Sequence, residues 1–167
     1  IGGNQFNDTR IHHFDADGTT VLNNQYLFFD TDTAPGSGDA STPDVAVSSA
    51  TSALFVWFEV STSFTHSIRA RFYNPATAAL DVAGDFDVLS STVSGTTFSD
   101  PHVVALNNGS YAIAATVTPP SGESYIAFSI VSSSGTLVAS DTLVGTDTNG
   151  ADDLQLSLTA LTTGVLV

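Results

Sequence analysis

The sequence predicts an all-β chain of antiparallel four-stranded repeats, on three observations. A turn pattern and a proline pattern each return about every 58 residues. No segment shows the periodicity of an amphipathic helix. Of the 17 acidic residues all but Glu59 and Glu123 are Asp, which favours turns over helix interiors.

The turn pattern is an aromatic or Val, three mostly small or polar residues, a turn, then Thr or Ala and an aliphatic. It reads Phe14-Asp15-Ala16-Asp17-Gly18-Thr19-Thr20-Val21, then Tyr73 to Leu80, then Val131 to Val138. The proline pattern reads Thr42-Pro43-Asp44-Val45-Ala46-Val47 and Asp100-Pro101-His102-Val103-Val104-Ala105, with a weaker copy from Asp152. Two unrelated signals with one period divide the chain into a partial repeat (1–41), two complete ones (42–98 and 99–151) and a second partial one (152–167).

Each complete repeat reads as four strands. Asp44 to Ser49 opens the first. Leu54-Phe55-Val56-Trp57-Phe58 is a continuous apolar run, as in a strand buried on both faces. Ser67 to Phe72 alternates, which predicts one wet face. Asp85 to Leu89 closes the repeat after the Asn74-Pro75 turn. The second repeat gives Val103–Leu106, Tyr111–Val117, Tyr125–Val131 and Leu137–Val144. Asn107-Asn108-Gly109 marks a hairpin, because Asn and Gly adopt positive φ at low cost. The partial repeats supply a third and fourth strand at the start (Thr9–Phe14, Val21–Phe29), and a first and second at the end, the second being Gly164–Val167.

Length and charge narrow the function. At 167 residues the chain can bury one core. Three arginines (Arg10, Arg69, Arg71), no lysine and a net charge of −14 argue against binding nucleic acid or an anionic membrane surface, since both need a cationic face. No apolar run reaches the ~20 residues of a spanning helix. Cys and Met are absent, so disulfides, thiolate metal sites and cysteine nucleophiles are ruled out. A start at Ile1 with no basic, apolar leader is expected of a processed chain or a piece of a longer one.

The segment Pro101-His102-Val103-Val104-Ala105-Leu106-Asn107-Asn108-Gly109-Ser110-Tyr111-Ala112-Ile113 resembles a repeat of large secreted bacterial adhesins and calcium-rich surface proteins. That repeat continues with a Trp, an Asp-x-x-Gly turn after an aromatic, and a Phe-x-Val strand. Here Trp57, Phe14-Asp15-Ala16-Asp17-Gly18 and Phe86-Asp87-Val88 stand at those places. The middle copy lacks the turn glycines and the last copy lacks the Pro. The resemblance implies β-propeller-blade-like repeats and an extracellular or cell-surface role, and it transfers no catalytic residue. Three repeats are fewer than the ~4–8 blades of a closed propeller, so a larger ring, an open array or a β-sandwich are the alternatives.

Calcium is the expected ligand, because hard cations take several oxygens and Asp-rich turns offer them. The candidates are Asp15 and Asp17 in the first turn, and Asp30, Asp32, Asp147, Asp152 and Asp153 in the connectors. For Asp15 and Asp17 a satisfied hairpin turn is the favoured reading, since Ser132 and Ser134 make the same turn in the third copy and a site needed by the fold should recur. His12 and His13 are adjacent on a strand and face opposite ways, so they do not share a metal. No Gly-x-Ser-x-Gly elbow occurs, and Glu59 reads as an exposed strand end. Trp57, Phe55 and Phe58 would make a sugar shelf if exposed, but so apolar a run favours the core.

The expected function is an extracellular structural or adhesive repeat segment, not an enzyme, which self-assembles or joins neighbouring repeats of a longer chain through β-sheet contacts. The alternatives are a calcium- or glycan-binding module and a fragment of a propeller hydrolase.

Overall fold

The computed structural model describes residues 10–22, 27–28, 40–61, 65–143 and 156–167. Every regular element among them is a strand: β1 Arg10–Ile11, β2 Leu27–Phe28, β3 Ala40–Ser49, β4 Ser52–Val60, β5 His66–Asn74, β6 Ala79–Leu80, β7 Phe86–Ser90, β8 Thr97–Ala105, β9 Tyr111–Thr118, β10 Tyr125–Val131, β11 Leu137–Leu143, β12 Thr159–Leu161 and β13 Gly164–Leu166. The chain is all-β.

Two antiparallel sheets form its body. In the first, β3, β4 and β5 follow in order, and β5 then pairs with both β6 and β7. The second is the meander β8-β9-β10-β11. Their ladders match at the sequence period: Ala53 lies opposite Tyr73 as Tyr111 lies opposite Val131, and Asp44 opposite Val56 as His102 opposite Ala114. Two half-sheets accompany them, β1 with β2 and β12 with β13.

The proline pattern has a structural cause. Pro43 and Pro101 sit on edge strands, where a missing N–H costs no ladder bond. At each the ladder shifts, between Ser41 and Asp44 and between Ser99 and His102. The residues before them, Thr42 and Asp100, both have φ of 48°. A non-glycine residue there costs about 1–2 kcal/mol. Its return with an unrelated side chain shows that the bulge, not the side chain, is what repeats.

The turns repeat in the same way. Gly18 and Gly135 have φ of 73° and 81°, and each donates its N–H back to the residue three earlier, Asp15 and Ser132, at 3.0 Å. The glycine-free middle copy instead puts Ala78 at φ 51°, with Asn74 Oδ1 accepting from Ala76 N at 3.0 Å. The predicted hairpin at Asn107-Asn108-Gly109 is present, with Gly109 at φ 81°.

The main core lies between the sheets. Leu54, Val56, Ile68 and Ala70 meet Tyr111, Ile113, Ala115, Val117 and Val131. Each large aliphatic buried there contributes about 1.5–3 kcal/mol. The Tyr111 hydroxyl bonds Ser48 Oγ at 2.6 Å and Ser52 Oγ at 2.8 Å, which ties the second sheet to the β3–β4 hairpin. A smaller cluster of Ile11, Ala40, Ala53, Trp57 and Tyr73 covers the other side of β4. The run 54–58 is thus buried on both faces, as its composition predicts.

Several expectations need correction. β3 and β8 begin earlier than Asp44 and Val103, because the bulge lets pairing continue past the proline. An extra strand, β6, precedes β7. The first strand of the last repeat, expected from Asp152, pairs from Thr159 among the described residues. The wet face predicted for β5 is largely closed, with the Arg69 side chain only 21% exposed.

Candidate functional site

The bulges converge on one place. Thr42, Pro43 and Asp44 of β3, Asp100, Pro101 and His102 of β8, and Leu156 with Ser157 line a cleft of about 670 Å³. The two bulged edge strands thus lie beside residues of the last partial repeat. Asp44 is the working side chain. Its Oδ1 accepts from its own neighbour Val45 N at 2.8 Å, and its Oδ2 from Val103 N of the next sheet at 2.9 Å. His102 Nδ1 lies 3.5 Å from the same Oδ2. Asp44 therefore pins one repeat to the next through a backbone N–H of the edge strand β8.

A second cluster lies on the face of the first sheet that carries Trp57. Glu59, expected as an exposed strand end, is 2% exposed. Trp57 Nε1 donates to its Oε2 at 2.9 Å and Arg69 Nη1 to its Oε1 at 3.0 Å. Arg69 Nη2 also meets Asp85 Oδ2 at 2.6 Å, and its Nε lies 3.6 Å from Asp87. Burial alone would lower the Arg69 pKa, but Glu59, Asp85 and Asp87 outweigh it and raise it. The buried Glu59 and Asp85 carboxylates share the Arg69 guanidinium, which offsets the cost of burying them, while Asp87 stays half exposed at the rim. A signal existed in the sequence: Glu59 and Arg69 are rare residue types placed on neighbouring strands. Their burial was not legible, because residue order does not say which face of a sheet is covered.

The remaining candidates separate. Asp15 and Asp17 are occupied in their turn: Asp15 Oδ1 accepts from Thr19 N at 3.1 Å and Thr20 N at 3.2 Å, and Asp17 Oδ1 from Thr19 N at 2.9 Å. A side-chain hydrogen bond with Asp17, then those with Thr20 and the backbone of this turn, hold the Asp15 carboxyl down to about 2. Asp30, Asp32, Asp147, Asp152 and Asp153 lie outside the described residues. Among the described residues no three His, Asp or Glu side chains gather in metal-binding geometry. His13 bonds the Tyr73 hydroxyl at 2.8 Å, while His12 stacks on Phe14, so the two are separated as their alternation predicts. Trp57 is fully buried and presents no sugar shelf. Glu123 is exposed in the loop between β9 and β10.

A second cleft, of about 650 Å³, opens at the hairpin end of the sheets. Ser48, Ser49, Thr51 and Ser52 line it with Phe72, Tyr73 and Asn74, which gives a hydroxyl-rich wall beside two aromatic residues.

No known protein family, curated protein or solved structure matches this chain. The class is therefore defined by the fold: an acidic all-β chain built on two antiparallel sheets, one of five strands and one of four.

Proposed function

We propose that the chain is an extracellular structural or adhesive repeat segment whose working part is the stacking of like β units. One observation carries this reading: the same antiparallel frame, with the same strained proline bulge, occurs twice, once with the added strand β6, and the two sheets bury a shared core. The chemistry sits between the repeats. Asp44 bridges two units, and Glu59 and Arg69 lie inside a sheet face, lining neither of the two clefts. The side-by-side bulged edges of β3 and β8 favour a propeller-blade-like arrangement over a sandwich. Calcium at the acidic connectors would lower the self-repulsion of a −14 chain and stiffen the array.

The test is the native mass and shape of the particle, by light scattering and electron microscopy, with and without a chelator. A ring, fibre or defined oligomer is expected, and its loss on chelation would assign the connectors to calcium. A compact monomer indifferent to chelator would overturn both readings. The alternative of a glycan-binding module places its ligand in the hydroxyl-lined cleft at Ser48–Ser52. Binding on a glycan array, abolished by Phe72→Ala, would favour it.

A further inference from the structure

We propose that this chain cuts itself: the Asp100 carboxylate hydrolyses the peptide bond between Asp100 and Pro101, with water as the only other reagent. Several features meet at that bond.

The first is the bond itself. An Asp side chain can close a five-membered ring on its own backbone carbonyl, and such built-in proximity favours attack strongly. The leaving group is the tertiary-amide nitrogen of proline, which takes a proton more readily than an ordinary amide nitrogen and so departs more easily. The second is strain. Asp100 has φ of 48°, whereas a residue before proline is held to an extended φ of about −120°. Strained backbone of this kind gathers at reactive sites, where its release can lower a barrier.

The third is that the bond carries no strand pairing. The ladder between β8 and β9 sets Ser99 opposite Thr116 and then His102 opposite Ala114, so Asp100 and Pro101 have no partner across it. A cut there releases the strain and leaves the pairing on both sides in place. The fourth is an available carboxylate. Asp100 is exposed and lines the cleft, and among the described residues no hydrogen bond or ion pair engages its side chain. Asp44 in the same cleft differs, because both its oxygens accept backbone N–H groups. Asp44 on β3 and His102 on β8 are the other titratable groups among the described residues that line this cleft.

The step balances. A carboxylate oxygen attacks the Asp100 carbonyl carbon, the C–N bond to Pro101 breaks, and the nitrogen leaves with a proton from solvent. The cyclic anhydride so formed takes up one water, which restores the side-chain carboxyl and creates a new α-carboxyl beside it. Pro101 is buried and both halves of β8 stay paired with β9, so the products 1–100 and 101–167 remain together in one fold.

The molecule contains its own control. Thr42 before Pro43 has the same φ of 48° and the same ladder shift, but a hydroxyl in place of the carboxylate.

The purified chain is incubated at about pH 5, where ordinary carboxylates are ionised and protons are still plentiful. Intact mass is then read under denaturing conditions. Fragments 1–100 and 101–167 are expected, the second starting at a free Pro101. They should form at least about tenfold faster than from the same chain unfolded in urea, which is what release of such strain can supply. Asp100→Asn and Asp100→Thr, the latter copying Thr42, should stay whole, and Thr42→Asp should gain a cut between 42 and 43. A folded chain that stays whole, or is cut no faster than the unfolded one, would overturn the proposal, since the fold would add nothing to the ordinary acid lability of an Asp–Pro bond. A cut that survives Asp100→Thr would overturn it as well.

Discussion

The two complete sheets share a backbone and differ in how each meets the repeat before it. Trp57, Glu59, Arg69 and Tyr73 on the first sheet stand where the second has Ala115, Val117, Ala127 and Val131. The first face joins a small aromatic cluster to a buried ion network. The second carries no charge, is apolar but for the buried Ser129, and belongs to the main core. One frame therefore accepts two kinds of interface. What repeats is what the backbone demands, the bulge and the turn. What varies is what each neighbour presents. An ion network is directional and intolerant of a missing member, whereas an apolar face is tolerant, and that difference can be measured.

The largest effect is expected at Arg69. Arg69→Met strands Glu59 and Asp85 without their cation and should cost about 3–5 kcal/mol, read from the midpoint of urea unfolding at unchanged slope. A loss no larger than that of an exposed substitution would mean that the network contributes nothing, and the contrast between the faces would disappear.

The pin between repeats comes next. Asp44→Ala leaves Val103 N without its acceptor and should cost about 1–3 kcal/mol in the same measurement. His102 holds the equivalent place on the second bulge and makes only a long contact, so His102→Ala should stay within about 0.5 kcal/mol. Equal costs would show that the two bulges bear load alike.

The turns sharpen the comparison further. Ala78→Gly relieves a positive φ and should stabilise by about 0.5–1 kcal/mol after the extra chain entropy of glycine. Gly135→Ala should lose about 1 kcal/mol or more for the reverse reason, since its φ is 81° and an added Cβ would lie 3.4 Å from Phe72 Cε2. Thermal unfolding of the two variants checks the opposite signs.

The smallest effect is a pH dependence confined to the first turn. The folded Asp15 carboxyl, at about 2, lies below its ordinary value of 3.8. A depressed carboxylate adds stability that is complete above the ordinary value and lost as pH falls through the folded one. Asp15→Ser, which copies Ser132, should therefore flatten the stability curve between about pH 4 and 2. The same slope in both proteins would show that the turn is not its source.

Much of this molecule was legible from residue order. The period, the all-β class, the Asn107-Asn108-Gly109 hairpin and the burial of Trp57 follow from local rules: turn chemistry, two-residue alternation and the apolar run at 54–58. The strain at Thr42 and Asp100 was half legible, since the prolines marked a recurring place without showing that the backbone there turns to positive φ. The Glu59–Arg69–Asp85 network and the Asp44–Val103 pin were not legible. Each depends on which face of which sheet meets a partner many residues away. Sequence by itself determined the repeat and its strands, because those obey interactions within and between neighbouring segments. Only the tertiary structure decided which charges are buried, because burial belongs to the stack of sheets and not to any one strand.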